Sequence, residues 1–109
     1  MFMDSLDHAR FGLLVARRGR WGGRRILSES WIKRMLTPSP TLPNYGYLWW
    51  LNTGPAANPN LPSSAVSAMG AGSNVIWIDP DHDLVVVARW IDKTAVEGLL
   101  SRIVSALRS

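Results

Sequence analysis

The strongest constraint on this chain is a pair of apolar runs separated by five mostly polar residues. Val75-Ile76-Trp77-Ile78 and Leu84-Val85-Val86-Val87-Ala88-Arg89-Trp90 flank Asp79-Pro80-Asp81-His82-Asp83. β-Branched and aromatic side chains suit a pleated surface, and the Pro/Asp stretch reverses the chain, so the runs predict an antiparallel hairpin. The second run is unbroken from Leu84 to Ala88, which predicts burial on both faces.

Helices are predicted on both sides of this hairpin. From Asp4 to Arg18, Leu6, Ala9, Leu13 and Ala16 recur at helical spacing, with Asp4 or Ser5 as N-cap and Gly19 as the stop. Three glycines between Gly19 and Arg25 predict a turn. Ser28 is placed to cap a second helix, with Leu27 and Ile32 at the positions of a hydrophobic staple. That helix must end near Thr37, because Pro38 and Pro40 cannot continue it. Tyr45 to Leu51 is aromatic and strand-like, Asn52 to Pro62 is a loop, and Ser63 to Met69 is a further strand ending at Gly70-Ala71-Gly72. Val96, Leu99, Leu100, Ile103, Val104 and Leu107 line one face of a closing helix, with Thr94 and Glu97 spaced as a capping box. The expected fold class is α+β: an antiparallel sheet of three or four strands with flanking helices.

The chain has 109 residues, which fits one domain. Charged residues make up 18%, below the roughly 25% of a typical soluble domain, and there are six tryptophans. Two readings stay open: surface normally covered by other protein, or a tryptophan-rich core. With no cysteine, a disulfide scaffold, a thiolate zinc site and a cysteine nucleophile are excluded. No run approaches the roughly 18 apolar residues that span a bilayer, and the opening Met1-Phe2-Met3-Asp4 is not that of a signal peptide.

Three stretches, in order, carry a resemblance. The first is Asp7-His8-Ala9-Arg10-Phe11-Gly12-Leu13-Leu14 with Gly19-Arg20-Trp21 and Ile26-Leu27-Ser28-Glu29-Ser30-Trp31. The second is Tyr45-Gly46-Tyr47-Leu48-Trp49-Trp50. The third runs from Gly70-Ala71-Gly72-Ser73-Asn74 through Val75-Ile76-Trp77-Ile78-Asp79-Pro80 into Asp83-Leu84-Val85-Val86-Val87. Together they resemble the C-terminal part of the serine β-lactamase and penicillin-binding-protein superfamily, above all its class C-like esterases and nylon-oligomer hydrolases. The resemblance covers essentially all of residues 1–109 as a single segment of a much longer hydrolase domain.

The resemblance implies acyl transfer to water through a serine ester. Such enzymes use a Ser-x-x-Lys nucleophile, a Tyr-x-Asn or Ser-x-Asn proton-transfer group, and Lys/His-Thr/Ser-Gly on an edge strand. The third motif would fall on Ala68-Met69-Gly70, with the Ala71 backbone N–H as oxyanion donor and Ala68, Met69, Gly70 and Gly72 lining the substrate cleft. The glycine is present, but the basic residue and the hydroxyl are not. Esters or amides without a carboxylate beside the scissile bond therefore fit better than β-lactams. Read without the resemblance, Gly70 and Gly72 simply make a bend between strands. The other two motifs would lie before residue 1, and neither Tyr-x-Asn nor Ser-x-Asn occurs in the chain. No cofactor is expected. The implied partners are a small ester or amide substrate of the full-length enzyme and the N-terminal remainder of the domain, with neither nucleic acid nor membrane.

Several patterns imitate other chemistry. Ser30-Trp31-Ile32-Lys33 matches Ser-x-x-Lys, but eleven serines and two lysines give ~0.2 such matches by chance, and the resemblance puts it on a peripheral helix. Lys93-Thr94-Ala95 lacks the required glycine and opens a helix. Asp79, Asp81 and Asp83 imitate a calcium loop, yet Leu84 stands where the loop needs glycine and Trp90 where it needs an acid, so these acids read as a solvated turn. His8 and His82 lack a suitably spaced acidic partner for a metal and read as surface residues. Arg17, Arg18, Arg20, Arg24 and Arg25 around Trp21 could grip phosphates; as a solvated turn they would lay their stems over apolar surface. Tyr45, Tyr47, Trp49 and Trp50 could wall a substrate cleft, but aromatics alternating along a strand read first as core and cross-strand packing. The leading expectation is the C-terminal portion of a serine hydrolase, inactive alone. Its alternatives are a non-catalytic interaction module and, behind that, a basic-patch nucleic-acid binder.

Overall fold

The computed structural model describes residues 4–54, 57–70 and 74–108. Its elements run α1 (Ser5–Ala16), β1 (Arg20–Trp21), β2 (Arg24–Arg25), α2 (Glu29–Met35), β3 (Trp50–Leu51), β4 (Val66–Gly70), β5 (Asn74–Asp79), β6 (Leu84–Ala88) and α3 (Val96–Arg108). β1 and β2 form a small ribbon, and the main sheet has the antiparallel order β3-β4-β5-β6. The architecture is α+β, as the sequence implies.

Side chains alternate across a strand, so each strand feeds two apolar layers. On one face Val66 and Ile78 pack with Val15 of α1 and with Ile32 and Met35 of α2, joined by Trp49 and Leu51. On the other, Val75 and Trp77 pack with Val96, Leu100 and Val104, a row at i, i+4, i+8 along α3. The predicted hairpin forms in the register Val75↔Ala88 to Asp79↔Leu84. The strand buried on both faces is β5, however, while every residue of β6 is half-buried. β6 carries the longer apolar run but stands last in the sheet order, where helices cover its faces and, among the described residues, no strand pairs with its outer flank.

Gly12 sets the distance between α1 and the sheet. A Cβ built there would lie 2.7 Å from Val85 Cγ1 and 2.8 Å from Ile76 Cγ2.

Four local expectations are corrected. The glycine-rich stretch after α1 is a hairpin rather than an unstructured turn, pairing Arg20 with Arg25 and Trp21 with Arg24. Gly22 and Gly23 both take positive φ (58° and 82°), the combination that matches the twist of paired strands in a two-residue hairpin. The aromatic segment 45–51 is extended only at β3. Gly46 N–H donates to the Trp49 carbonyl (2.9 Å), Tyr47 N–H donates to the Met35 carbonyl (2.9 Å) and Leu48 takes φ 67°, so the chain doubles back. The strand predicted from Ser63 begins at Val66.

The last correction concerns the start of α3. Asp92, not Thr94, organises it, accepting from the Thr94 N–H (3.0 Å) and the Thr94 hydroxyl (2.8 Å). The Thr94 backbone hydrogen bond, then its hydroxyl, hold the Asp92 carboxyl below its usual range. The expected caps of the other helices are present: Asp4 Oδ1 accepts from Asp7 N–H (2.8 Å) and Ser28 Oγ from Trp31 N–H (3.1 Å).

Of the six tryptophans, Trp49 and Trp77 are buried, whereas Trp21, Trp31, Trp50 and Trp90 are between 39% and 72% exposed.

Gly12→Ala should destabilise the fold by about 1–3 kcal/mol through overpacking, measured by urea unfolding. Gly98→Ala, on α3 where an added Cβ meets nothing within 4 Å, should stabilise it by up to about 1 kcal/mol through helix propensity. Because the Asp92 carboxyl is lowered in the folded chain, its stabilisation is present above the ordinary carboxylate range and fades as pH falls through the folded value. Amide exchange at the start of α3 should therefore quicken on acidification, and Asp92→Asn should flatten that dependence.

Candidate functional site

β4 ends at Gly70, which pairs with Asn74 as the last rung of the β4–β5 ladder. Ala68, Met69 and Gly70 lie at this end of the sheet and line a recess of ≈ 320 Å³ together with His8 and Phe11 of α1 and Asn74 and Ile76 of β5. Three of the four expected cleft residues thus come together. Ala71, the expected oxyanion donor, and Gly72 lie outside the described residues.

The recess is mostly apolar and has no Lys, Arg, Asp or Glu among its described lining residues. His8 Nδ1 donates to the Asp4 carbonyl at 2.8 Å, which orients the ring on the first turn of α1. Phe11 stacks on Trp49, with ring centroids 6.0 Å apart. His8 and Phe11 were not legible as recess residues, because only the close approach of α1 at Gly12 brings them over β4 and β5.

Ser30 sits elsewhere, in a cleft of ≈ 780 Å³ between α2 and the β5–β6 turn that also holds Lys33, Glu29, Arg18, Ser64 and Asp81. Its hydroxyl lies 3.3 Å from Ser28 Oγ. Among the described contacts Ser30 and Lys33 share no hydrogen bond, and the Ser30 partner is Ser28. Lys93-Thr94-Ala95 forms the 3₁₀ turn that leads into α3.

The aspartates of the β5–β6 turn do not form a uniformly solvated group. Asp79 is fully buried, its Oδ1 accepting from the Asp81 N–H (3.1 Å) and its Oδ2 from His82 Nδ1 (2.6 Å). His82 is correspondingly half-buried rather than a surface histidine. A buried carboxylate needs such donors to replace its hydration. The hydrogen bond to Asp79 fixes the orientation of the His82 ring. The Ser64 hydroxyl, however, donates to Asp81 Oδ1 at 2.8 Å, so this pair anchors the turn instead of activating a nucleophile. The i, i+3 spacing of Asp79 and His82 was the available signal; burial of the aspartate was not visible in it.

The arginine cluster is largely occupied within the chain. Arg25 donates to the Arg18 and Leu27 carbonyls (3.1 and 3.0 Å), Arg17 lies 3.6 Å from Asp83, and Arg18 lies 3.8 Å from Glu29. The aromatics divide: Trp49 is core, Tyr45 pairs with Trp50 (4.6 Å) and Tyr47 with Trp31 (5.7 Å). Among the described residues no three His, Cys, Asp or Glu side chains gather as metal ligands, and no helix is long and apolar enough to cross a membrane.

This arrangement, a four-stranded antiparallel sheet with α1 and α2 on one face and α3 on the other, is the β-lactamase-like α+β fold. A solved structure described as "Putative 6-aminohexanoate-dimer hydrolase from Bacillus anthracis" superposes on 94% of this chain with a TM-score of 0.64 and 23% sequence identity. The match covers 28% of that protein, so the present chain spans well under a third of its length. No family model and no curated protein sequence matches the chain.

Removing the His82 imidazole would strand a buried carboxylate. His82→Ala should cost about 2 kcal/mol in urea unfolding, and His82→Asn, which keeps a donor, should cost less.

Proposed function

We propose that the chain is the C-terminal portion of a β-lactamase-related serine hydrolase domain, acting on small esters or amides. The observation that carries this reading is a superposition spanning nearly all of this chain but only 28% of a longer protein described as a hydrolase. The order of the three sequence stretches supports the same assignment. In this reading residues 1–109 supply one wall of the substrate cleft through Ala68, Met69, Gly70 and Gly72, the Ala71 N–H as oxyanion donor, and the helix that covers the sheet. A backbone N–H held there would stabilise the tetrahedral oxyanion. The recess has no lysine or arginine to hold a substrate carboxylate, which favours esters or amides lacking one beside the scissile bond.

The nucleophile and its proton acceptor belong, in this reading, to the N-terminal remainder of the domain. That remainder is also the partner that would cover the exposed tryptophans. The internal use of Arg17, Arg18 and Arg25 favours this role over nucleic-acid binding.

Two measurements test the proposal. The coding sequence upstream and in frame should contain Ser-x-x-Lys followed by Tyr-x-Asn or Ser-x-Asn. The purified chain should neither hydrolyse nitrophenyl esters above background nor form an adduct with a fluorophosphonate probe. Hydrolysis by the chain that disappears in Ser30→Ala would overturn the assignment of the nucleophile to another segment.

A further inference from the structure

A strained residue and a side-chain hydrogen bond meet at one end of the β5–β6 hairpin. The ladder runs from Asp79↔Leu84 to Val75↔Ala88, and two residues past its end Trp90 takes φ 56°. A left-handed backbone is uncommon for any residue with a side chain and an outlier for a bulky one. The indole is 72% exposed, so core packing of that side chain does not impose the conformation. Strain of this kind persists only where the surroundings over-determine it.

The group that holds Trp90 is on the neighbouring strand. Its N–H donates to Asn74 Oδ1 at 2.9 Å. Asn74 is the first residue of β5, half-buried, and is the partner of Gly70 in the last rung of the β4–β5 ladder. Beyond Trp90, Ile91 packs on the layer formed by Trp77, Val96 and Leu100, and Asp92 caps the turn that opens α3. Only residues 89–92 separate the end of β6 from that turn, so the chain must bend sharply, and it bends at Trp90.

We propose that Asn74 is a positioning residue: its carboxamide ties the exit of β6 to the start of β5 and thereby fixes the Gly70 end of β4. The catalytic consequence rests on the proposed function, which places substrate against that end; the geometry does not. Both partners belong to the β5–β6 hairpin and its exit, so the link is complete within residues 74–90 whatever else packs around the sheet. A neutral amide suits the place. Asn74 also lines the recess with Met69, Gly70 and Ile76, and a carboxylate on that apolar wall would carry a desolvation cost.

Nuclear magnetic resonance on the chain tests the link directly. In the unmodified chain a scalar coupling through the hydrogen bond should connect the Trp90 amide nitrogen to Asn74 Cγ. Asn74→Ala should quicken exchange of the Trp90 amide by roughly two- to tenfold, the factor of one neutral hydrogen bond. It should also weaken the Overhauser contact between residues 70 and 74, while the amides of residues 75–78 keep their protection. Asn74→Asp, which retains the oxygen acceptor, should restore both. In the full-length domain that the proposed function requires, Asn74→Ala should lower kcat for a nitrophenyl ester by roughly tenfold or more, with a smaller change in KM. Absence of the coupling, or unchanged exchange at Trp90, overturns the link. A disturbed strand end with unchanged kcat overturns the positioning role. A full-length domain that hydrolyses nothing overturns the proposed function instead, and the coupling and exchange still decide whether Asn74 fixes the strand end.

Discussion

Burial of β5 on both faces is the constraint on which the rest of the structure depends. From Val75 to Asp79 every side chain is buried, with Ile78 only 1% exposed. Side chains of this size contribute about 1.5–3 kcal/mol each when fully removed from water. That gain requires a layer on each face, and the chain supplies them from its two ends: α1 and α2 before the sheet, α3 after it. Gly12 permits the first layer to approach within contact of Val85 and Ile76. The i, i+4 row of Val96, Leu100 and Val104 supplies the second.

The same burial explains why a charged group sits in the core. Continuing the strand one residue past Ile78 takes Asp79 into the interior, where its carboxylate must find donors. His82 and the Asp81 N–H, both brought round by the Pro80–His82 turn, are those donors. The left-handed Asp83 then turns the chain into β6. The turn is thus specified by satisfying one acid as well as by its proline.

Much of the fold was legible because long periodic signals are enforced by packing. The hairpin 75–88 with its two apolar runs, the N-caps Asp4 and Ser28 and the apolar stripe of α3 all fall where their residues imply. What was not legible depends on tertiary contact. Tyr45–Leu51 has strand-forming residues, but the Met35 carbonyl captures the Tyr47 N–H and folds the segment back. Which apolar strand is central cannot be read from composition: β6 has the longer run, and β5 has neighbours on both sides. The candidate site was legible only along β4, at Ala68, Met69 and Gly70. His8 and Phe11 reach it from residues some sixty positions away, through helix–sheet packing.

Gly70 joins the fold to the proposed chemistry. A strand glycine costs about 0.5–1 kcal/mol relative to alanine, and its usual compensation is positive φ or close packing. Gly12 has the second reason, because a Cβ would collide with Val85 and Ile76. Gly70 has neither: its φ lies outside the left-handed range, and an added Cβ would meet nothing within 4 Å. Its missing side chain therefore serves no contact within the described chain. A glycine at the open end of a strand, beside an apolar recess, lets another molecule approach the backbone closely. The proposed function would use that access, a substrate carbonyl reaching a backbone N–H beside the end of β4.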